Sequence, residues 1–401
     1  MHIREHKIKH RHYIVVISLI VALQIGVTFF FTGCGAADPT VDLAAETAEQ
    51  QRPSGENADD FQVEDPEELT LVMVGDVLLH DRVEKAAKQE DGRYNFDAIF
   101  ANTKDLIEEA DLALVNQEVI IGGAEIGVGG YPAFNAPYEV ADALADAGFD
   151  VVCHGTNHAL DRGAAGILNC IGNWKNSHPE IGVLGIHDSQ ESADKIYIAE
   201  KNGMRIAILN YTYGTNGIAV PSALPYAVDY LSEEEVISDI EKAEADADFT
   251  IVCPHWGTEY SLETDAMQKK WTRLFADHGV DLVLGTHPHV IEPVEQVDDM
   301  LVYYSLGNFV NWTNEYGAGI ANRMVGGMAR ITLTRTPDGR VVIKEHSVLP
   351  LVSHVTTGTN GVTVYPLDHY SRELAEKNEI RRQDPSFSLE YCQELVKRVW
   401  E

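Results

Sequence analysis

The chain has 401 residues, 45% hydrophobic and 23% charged. That is a globular composition, long enough for one large domain or two ordinary ones. Its 63 acidic against 30 basic residues give a formal charge of −33. This balance excludes a basic nucleic-acid surface and loose binding of polyanions. An anionic substrate needs a local exception, which a metal cluster can provide.

Residues 1–12 carry Arg4, Lys7, Lys9 and Arg11 against one acid, Glu5, and an uncharged apolar run of 19 residues follows from Tyr13 to Phe31. Phe31-Thr32-Gly33-Cys34 then leads into polar sequence. A basic segment, an apolar run and a small-residue site describe an export signal, and the cysteine after a small residue resembles a bacterial lipobox. Cys34 is then the lipidated first residue. The run is also long enough to span a bilayer uncleaved, and cleaved secretion is the third alternative. All three place the rest of the chain on the extracytoplasmic face of the cell membrane. Residues 35–68 are acidic and small, the composition of a disordered linker. The remaining cysteines, Cys153, Cys170, Cys253 and Cys392, have no CxxC or regular spacing and are expected as buried thiols.

From residue 69 short apolar runs alternate with helical patterns. LTLVMVG ends in Asp76, a helix is expected at about 96–110, and a strand at 111–119 delivers Asn116 and Glu118. A Gly-rich loop runs from Gly122 to Gly130, and a helix at 138–147 stops at Gly148. The strand 149–154 leads into Asn157 and His158, followed by a helix at about 163–176. Strands are expected at 181–187, 194–200 and 204–211, the last two joined at Lys201-Asn202-Gly203. Ser232 with Glu235 forms a capping-box pattern opening a helix to about Ala247. The strand 249–254, a helix at 265–278 and the strand 280–285 make a βαβ unit delivering His255, His287 and His289. Strands at 300–305 and 328–335 follow, then a hairpin through Pro337-Asp338-Gly339 into 340–349. The segment 356–401 is less regular, with a helix at 388–400. The fold expected is one α/β domain over 69–355, with 356–401 as a C-terminal extension.

Runs rich in Val, Leu and Ile are strands buried on both faces, and sites in α/β sheets form beyond the carboxyl ends of strands. Asp76, Glu118, Asn157, His255, His287 and His289 all follow such runs, and imidazole, carboxylate and amide donors suit Zn, Mn or Fe. His255 and His287 end parallel neighbours and are expected side by side. Pro288 stiffens the loop between His287 and His289. Asp161, three residues after His158, can fix its tautomer and raise its basicity, as a general acid requires; it can also cap the next helix, and the two roles are compatible. Asn116, Glu259 and Asn308 are candidates for substrate contact, although Glu259 and Tyr260 can equally begin a helix and Asn308 can be loop scaffold. His154 is expected to pack inside its strand.

GDVLLHDRV at 75–83, NQE at 116–118, GTNHALDRG at 155–163, HWGTEY at 255–260, GTHPHVIEPVE at 285–295 and YSLGNF at 304–309 resemble, in order, the motifs of the CapA (PgsA) poly-γ-glutamate capsule family. That family in turn resembles the calcineurin-like metallophosphoesterases. The resemblance implies a four-layer sandwich of two mixed sheets flanked by helices. It implies one or two divalent ions: Asp76 and His289 on the first, Asn157, His255 and His287 on the second, Glu118 bridging. His158, steered by Asp161, would be the acid of a hydrolase. Two departures stand out. The superfamily's Asp-x-His is Asp76-Val77-Leu78 here, one ligand fewer, with His80 at a different spacing, and a usual Asn is Thr156. The role implied is capsule synthesis or export, with membrane synthase subunits and poly-γ-glutamate as partners and no nucleic acid. The alternatives are a general cell-surface phosphoesterase and a non-catalytic polymer-binding or assembly subunit.

Overall fold

The computed structural model describes residues 67–401. Cys34, the anchor segment and most of the linker lie outside the described residues. Among the described residues no helix is long and apolar enough to cross a membrane.

The chain enters through β1 (Glu68–Val77) and then α1 (Asp81–Ala87), α2 (Asp97–Phe100) and α3 (Lys104–Glu108). Next come β2 (Leu112–Gln117), α4 (Glu139–Asp146), β3 (Val151–Cys153), α5 (Gly163–Ser177) and β4 (Gly182–Leu184). The middle of the chain is α6 (Gln190–Ala193), β5 (Tyr197–Lys201), β6 (Met204–Thr212), α7 (Glu233–Asp246), β7 (Phe249–His255), α8 (Ala266–Asp277) and β8 (Leu282–Leu284). Then follow β9 (Val294–Val297), β10 (Met300–Tyr303), β11 (Asn308–Val310), β12 (Val325–Arg335), β13 (Val341–Val355) and β14 (Val362–Pro366). Helices α9 (Arg372–Lys377) and α10 (Leu389–Trp400) close it.

Two mixed sheets result. One has the order β14-β13-β12-β1-β2-β3-β4, the other β5-β6-β7-β8-β10-β9. Strands β1 to β4 are parallel, as are β6, β7, β8 and β10. The antiparallel strands β12 to β14, β5 and β9 are added at the flanks.

The period-two geometry of a strand sorts its side chains into separate layers. In β1, Leu69, Leu71 and Met73 face a core shared with Ile206, Ile208, Ile251 and Leu282 of the other sheet. Val72 and Val74 face the opposite way, into a core with Phe100, Leu144, Ile167 and Ile171 from the helices. The second sheet repeats the pattern: Ala207 and Leu209 meet Val236, Ile240, Trp271 and Phe275 of α7 and α8. Three apolar interfaces make four layers: helices, sheet, sheet, helices.

Several elements differ from the sequence reading. The helix expected at 96–110 is broken into α2 and α3 by a turn at 101–103, where Thr103 Oγ1 donates to the Phe100 carbonyl at 3.2 Å. Ser232 sits at the N-cap of α7, but its side chain makes no capping bond. Complete capping boxes occur instead at Ser189/Ser192 and Asp265/Gln268. Asp161 does not cap α5, where Arg162 holds the N-cap position. The segment 356–401 packs into the helix-side core through Val362, Val364, Tyr370, Phe387, Cys392 and Leu395. The four described cysteines are free and buried.

One close approach positions the site. Strand β11 takes over from β12 beside the end of β1, pairing Asp76 with Asn308. Gly75 makes this possible, because a Cβ there would lie 1.9 Å from the Gly307 carbonyl oxygen.

Candidate metal centre

Donors from the ends of strands in both sheets converge on one buried place. Asp76 ends β1, Glu118 follows β2, Asn157 and His158 follow β3, His255 ends β7, and His287 and His289 follow β8. Asp76, Glu118 and His289 offer donor atoms within 4.8 Å of one another, and so do Glu118, His255 and His287. Glu118 belongs to both triangles. A third group joins the more exposed Glu259 to His287 and His289.

The arrangement is held from outside. Asn116 Nδ2 donates to Asp76 Oδ1 at 2.8 Å. His289 Nδ1 lies 3.0 Å from Asp76 Oδ2 and 3.2 Å from Asn308 Oδ1. Asn308 Nδ2 also donates to the His289 and Arg323 carbonyls at 3.0 and 2.9 Å, so Asn308 is a clamp on the His289 loop. His255 Nδ1 meets Thr286 Oγ1 at 3.0 Å, while its Nε2 is 3.0 Å from Asn157 Oδ1. The His255 and His287 rings lie 4.8 Å apart, as the parallel pairing of β7 and β8 requires. His287 and His289 both adopt positive φ, 101° and 59°. Such strain in non-glycine residues persists only where the surroundings hold it.

The electrostatics suit a cation. Neither Glu118 oxygen has a hydrogen-bond partner among the described residues, and the carboxylate is fully buried. Burial pushes its pKa well up, helped by Asp76, Glu259 and Asp161 and opposed by His289. An isolated buried carboxylate is costly unless paired or bound to a metal. Burial and neighbouring imidazoles push His255 and His287 well down, into the neutral form that ligates metals. His289 goes the other way, to about 9: Glu118 and Asp76 outweigh its burial. Of the three imidazoles, only His289, beside the two carboxylates, is driven towards the charged form. His287 Nδ1 and Asn116 Oδ1 are also buried without partners. This donor set fits one or two divalent ions.

His158 stands at the rim. Its Nδ1 is 2.7 Å from Asp161 Oδ2, which also accepts from the Phe134 backbone N–H at 2.7 Å. Its Nε2 lies 3.9 Å from Glu118 Oε1. Phe134 packs edge-on against the ring, 4.6 Å between centroids.

Thr156 donates to the Glu118 carbonyl at 2.9 Å and so steadies the strand end that carries Glu118. His80 belongs to none of the donor groups. Its ring packs on Phe134, and burial with His289, His158 and Arg323 nearby lowers its pKa to about 3. His154 is buried and accepts from Trp174 Nε1 at 3.1 Å. Glu259 and Tyr260 lie in a loop ahead of α8, and Tyr260 sits 6.0 Å from the His289 ring. Two contributors were not foreseen. Thr286 fixes His255, and Asn216 meets both His158 Nδ1 and Asn157 Nδ2 at 3.4 Å. The run LNYT before Gly214 is another apolar strand end, and that signal could have flagged Asn216.

Fold and site together define a two-sheet α/β sandwich with a metal-type donor centre at the carboxyl ends of its strands. The chain belongs to the bacterial capsule synthesis protein PGA_cap family, whose model matches residues 70–313. It is 29% identical over 262 residues to the PGA biosynthesis protein CapA of Bacillus subtilis (strain 168), covering 61% of this chain and 64% of that protein. It is 27% identical over 262 residues to the capsule biosynthesis protein CapA of Bacillus anthracis, covering 62% and 61%. The match therefore spans less than two thirds of either relative. Among solved structures, the NAD nucleotidase of Haemophilus influenzae aligns with a TM-score of 0.45 at 15% identity, over 71% of this chain and 56% of that one. A likeness that distant carries no argument about the site.

Proposed function

We propose that this chain is an extracytoplasmic, membrane-anchored component of poly-γ-glutamate capsule synthesis or export, with a divalent-metal hydrolase centre. Family membership and the names of the two Bacillus relatives support the process. The observation that carries the chemistry is the fully buried Glu118 carboxylate, without a hydrogen bond among the described residues, set among His255, His287 and His289.

In this reading Asp76, Glu118, Asn157, His255, His287 and His289 hold the ions. A divalent ion there supplies a lowered pKa for water and charge to offset a developing oxyanion. Asp161 holds the His158 imidazole with Nε2 turned to the centre, and His158 gives its proton to the leaving group. Thr286 and Asn308 keep His255 and His289 in place. Phe134 closes the apolar side of the His158 ring, 4.6 Å between centroids. Cys34 is the lipid attachment point, and capsule synthase membrane subunits are the partners.

The test is elemental mass spectrometry on the full-length chain in detergent, beside His287→Ala. One or two equivalents of Mn, Fe or Zn in the wild type, lost in the variant, are expected. Turnover of γ-glutamyl polymer, of simple phosphate esters, or of neither then separates the capsule hydrolase from a general phosphoesterase and from an assembly subunit. Absence of metal after reconstitution overturns the hydrolase reading.

A further inference from the structure

Arg323 lies outside every motif noted in the sequence and beyond the stretch that matches the family. It sits in the one-turn 3-10 segment Ile320–Met324 that leads into β12. Its backbone carbonyl accepts from Asn308 Nδ2, the same amide that holds the His289 loop. Its guanidinium carbon is 3.5 Å from the centroid of the Tyr260 ring. Tyr260 is in turn a neighbour of His289 and donates its backbone N–H to Pro288, between the two histidines, at 2.7 Å. The charge of Arg323 is felt at His80, which also feels His289 and His158. The arginine head therefore neighbours His289 through the Tyr260 ring, which is 3.5 Å from the one and 6.0 Å from the other.

Its hydrogen bonding is only partly used. Nη1 pairs with Glu315, and Nε is buried without an acceptor among the described residues. A guanidinium presents five N–H donors in a fork that fits a carboxylate or phosphate. The Arg323 side chain is 13% exposed, whereas Glu315 is 58% exposed on the loop before it. An exposed carboxylate can leave this pairing at little cost; a largely buried guanidinium cannot move as freely. The acids of the neighbourhood are Asp76, Glu118, Asp161, Glu259 and Glu315, and His289 is already engaged by the first two. An anion approaching the centre of a chain with a formal charge of −33 needs a fixed cation there.

We propose that Arg323 recognises an anionic oxygen group of the substrate beside the metal centre, with Glu315 occupying its fork until that group displaces it. This rests on the reading of the centre as the place where substrate binds. The shared chemistry is a planar or tetrahedral oxyanion, supplied either by the carboxylates of a γ-linked glutamate chain or by a phosphate group. Tyr260 fixes the plane of the fork by stacking, and Asn308 ties its backbone to the His289 loop.

The experiment is calorimetric titration of the full-length, metal-loaded protein in detergent. The probes are inorganic phosphate and a γ-linked glutamate tetramer, applied to the wild type, R323A, R323K and E315Q. Metal content is measured on each sample. R323A should weaken one or both probes roughly ten- to a hundredfold, the worth of a charged hydrogen bond, with metal content unchanged. R323K keeps the charge without the fork and should fall between. E315Q, at an exposed position, should tighten binding roughly threefold by removing the internal competitor. A response to phosphate alone identifies a phosphate-bearing substrate; a response to the tetramer alone identifies polymer carboxylates. Equal binding by wild type and R323A, or no binding of either probe by wild type, overturns the proposal. Loss of metal from the wild type itself would instead remove the metal-centre reading, and the same titrations on that protein would still decide the role of Arg323.

Discussion

Asp161 Oδ2 lies 2.7 Å from His158 Nδ1, and the other ring nitrogen of His158 lies 3.9 Å from Glu118 Oε1. The imidazole is thus fixed on one side by a carboxylate and presented on the other to the donor centre. Asp161→Asn should lower turnover roughly ten- to a hundredfold, the usual cost of removing such an orienting partner. His158→Ala should cost more, about 10²–10⁴-fold. Steady-state kinetics with parallel metal analysis checks both. Loss of metal in either variant would mean that the pair supports the ligands instead of the proton transfer.

Glu118 is a fully buried carboxylate whose oxygens have no hydrogen-bond donor among the described residues, with His289 Nε2 3.5 Å away. Glu118→Gln should bind less metal, and its metal-free form should be more stable than metal-free wild type by about 2 kcal/mol, because the amide removes a buried carboxylate that no hydrogen bond satisfies. Thermal unfolding in chelator gives the answer. A metal-free variant no more stable than wild type would show that the carboxylate is already satisfied.

Gly75 is the least replaceable glycine near the site. Gly75→Ala places a methyl group 1.9 Å from the backbone of Gly307, so β1 and β11 must separate. A loss of about 3 kcal/mol is expected, with metal retention falling alongside because Asp76 is the next residue. Denaturant unfolding and metal content measured together test this. A stable, metal-free variant would show that β1 shifts without unfolding.

Glu292 makes stability depend on pH. Burial raises its pKa from 4.5 to about 8, although Gln268 Nε2 donates to it at 2.6 Å. The folded state therefore holds this proton more tightly than the unfolded chain. The stability it confers is full below pH 4.5 and is lost as pH rises through about 8. Glu292→Gln should flatten the decline in melting temperature across that window. An unchanged slope would assign the decline to other groups.

Truncation before Leu389 should destabilise the whole domain by several kcal/mol. It removes Cys392, Leu395 and Val396 from the helix-side core. It also removes Trp400, whose Nε1 donates to the Glu292 carbonyl at 2.9 Å. Circular dichroism melts of the truncated chain would reveal whether 389–401 is an appendage instead.

The donor centre was legible because its residues follow runs such as LTLVMVG and DLVLG. Such runs announce parallel buried strands, and parallel strands must end side by side. His255 and His287, at the ends of β7 and β8, were therefore readable as neighbours, whereas Asp76 reaches them from the other sheet. What supports them was not. Thr286 and Asn216 act from loops, where no period relates one residue to the next. Arg323 gave no signal at all, since its role depends on Tyr260 and Asn308 arriving from distant parts of the chain. The break in 96–110 was hidden because Phe96, Ile99, Phe100 and Ile107 keep a helical spacing across the turn. Ser232 and Glu235 matched a capping box in pattern but not in side-chain geometry. Strands β9, β11 and β14 escaped notice because none carries an unbroken Val, Leu and Ile run like those of the parallel strands.

The pairing of Asp76 with Asn308 also sets an order of events. The first donor of the centre leaves the ribosome early, yet the strand that sits beside it comes from the last third of the protein. Contacts between such distant segments close slowly. A growing polypeptide therefore lacks the full donor set until the segment carrying His289 and Asn308 has emerged. An ion held at this place would report that two segments far apart in the chain have met.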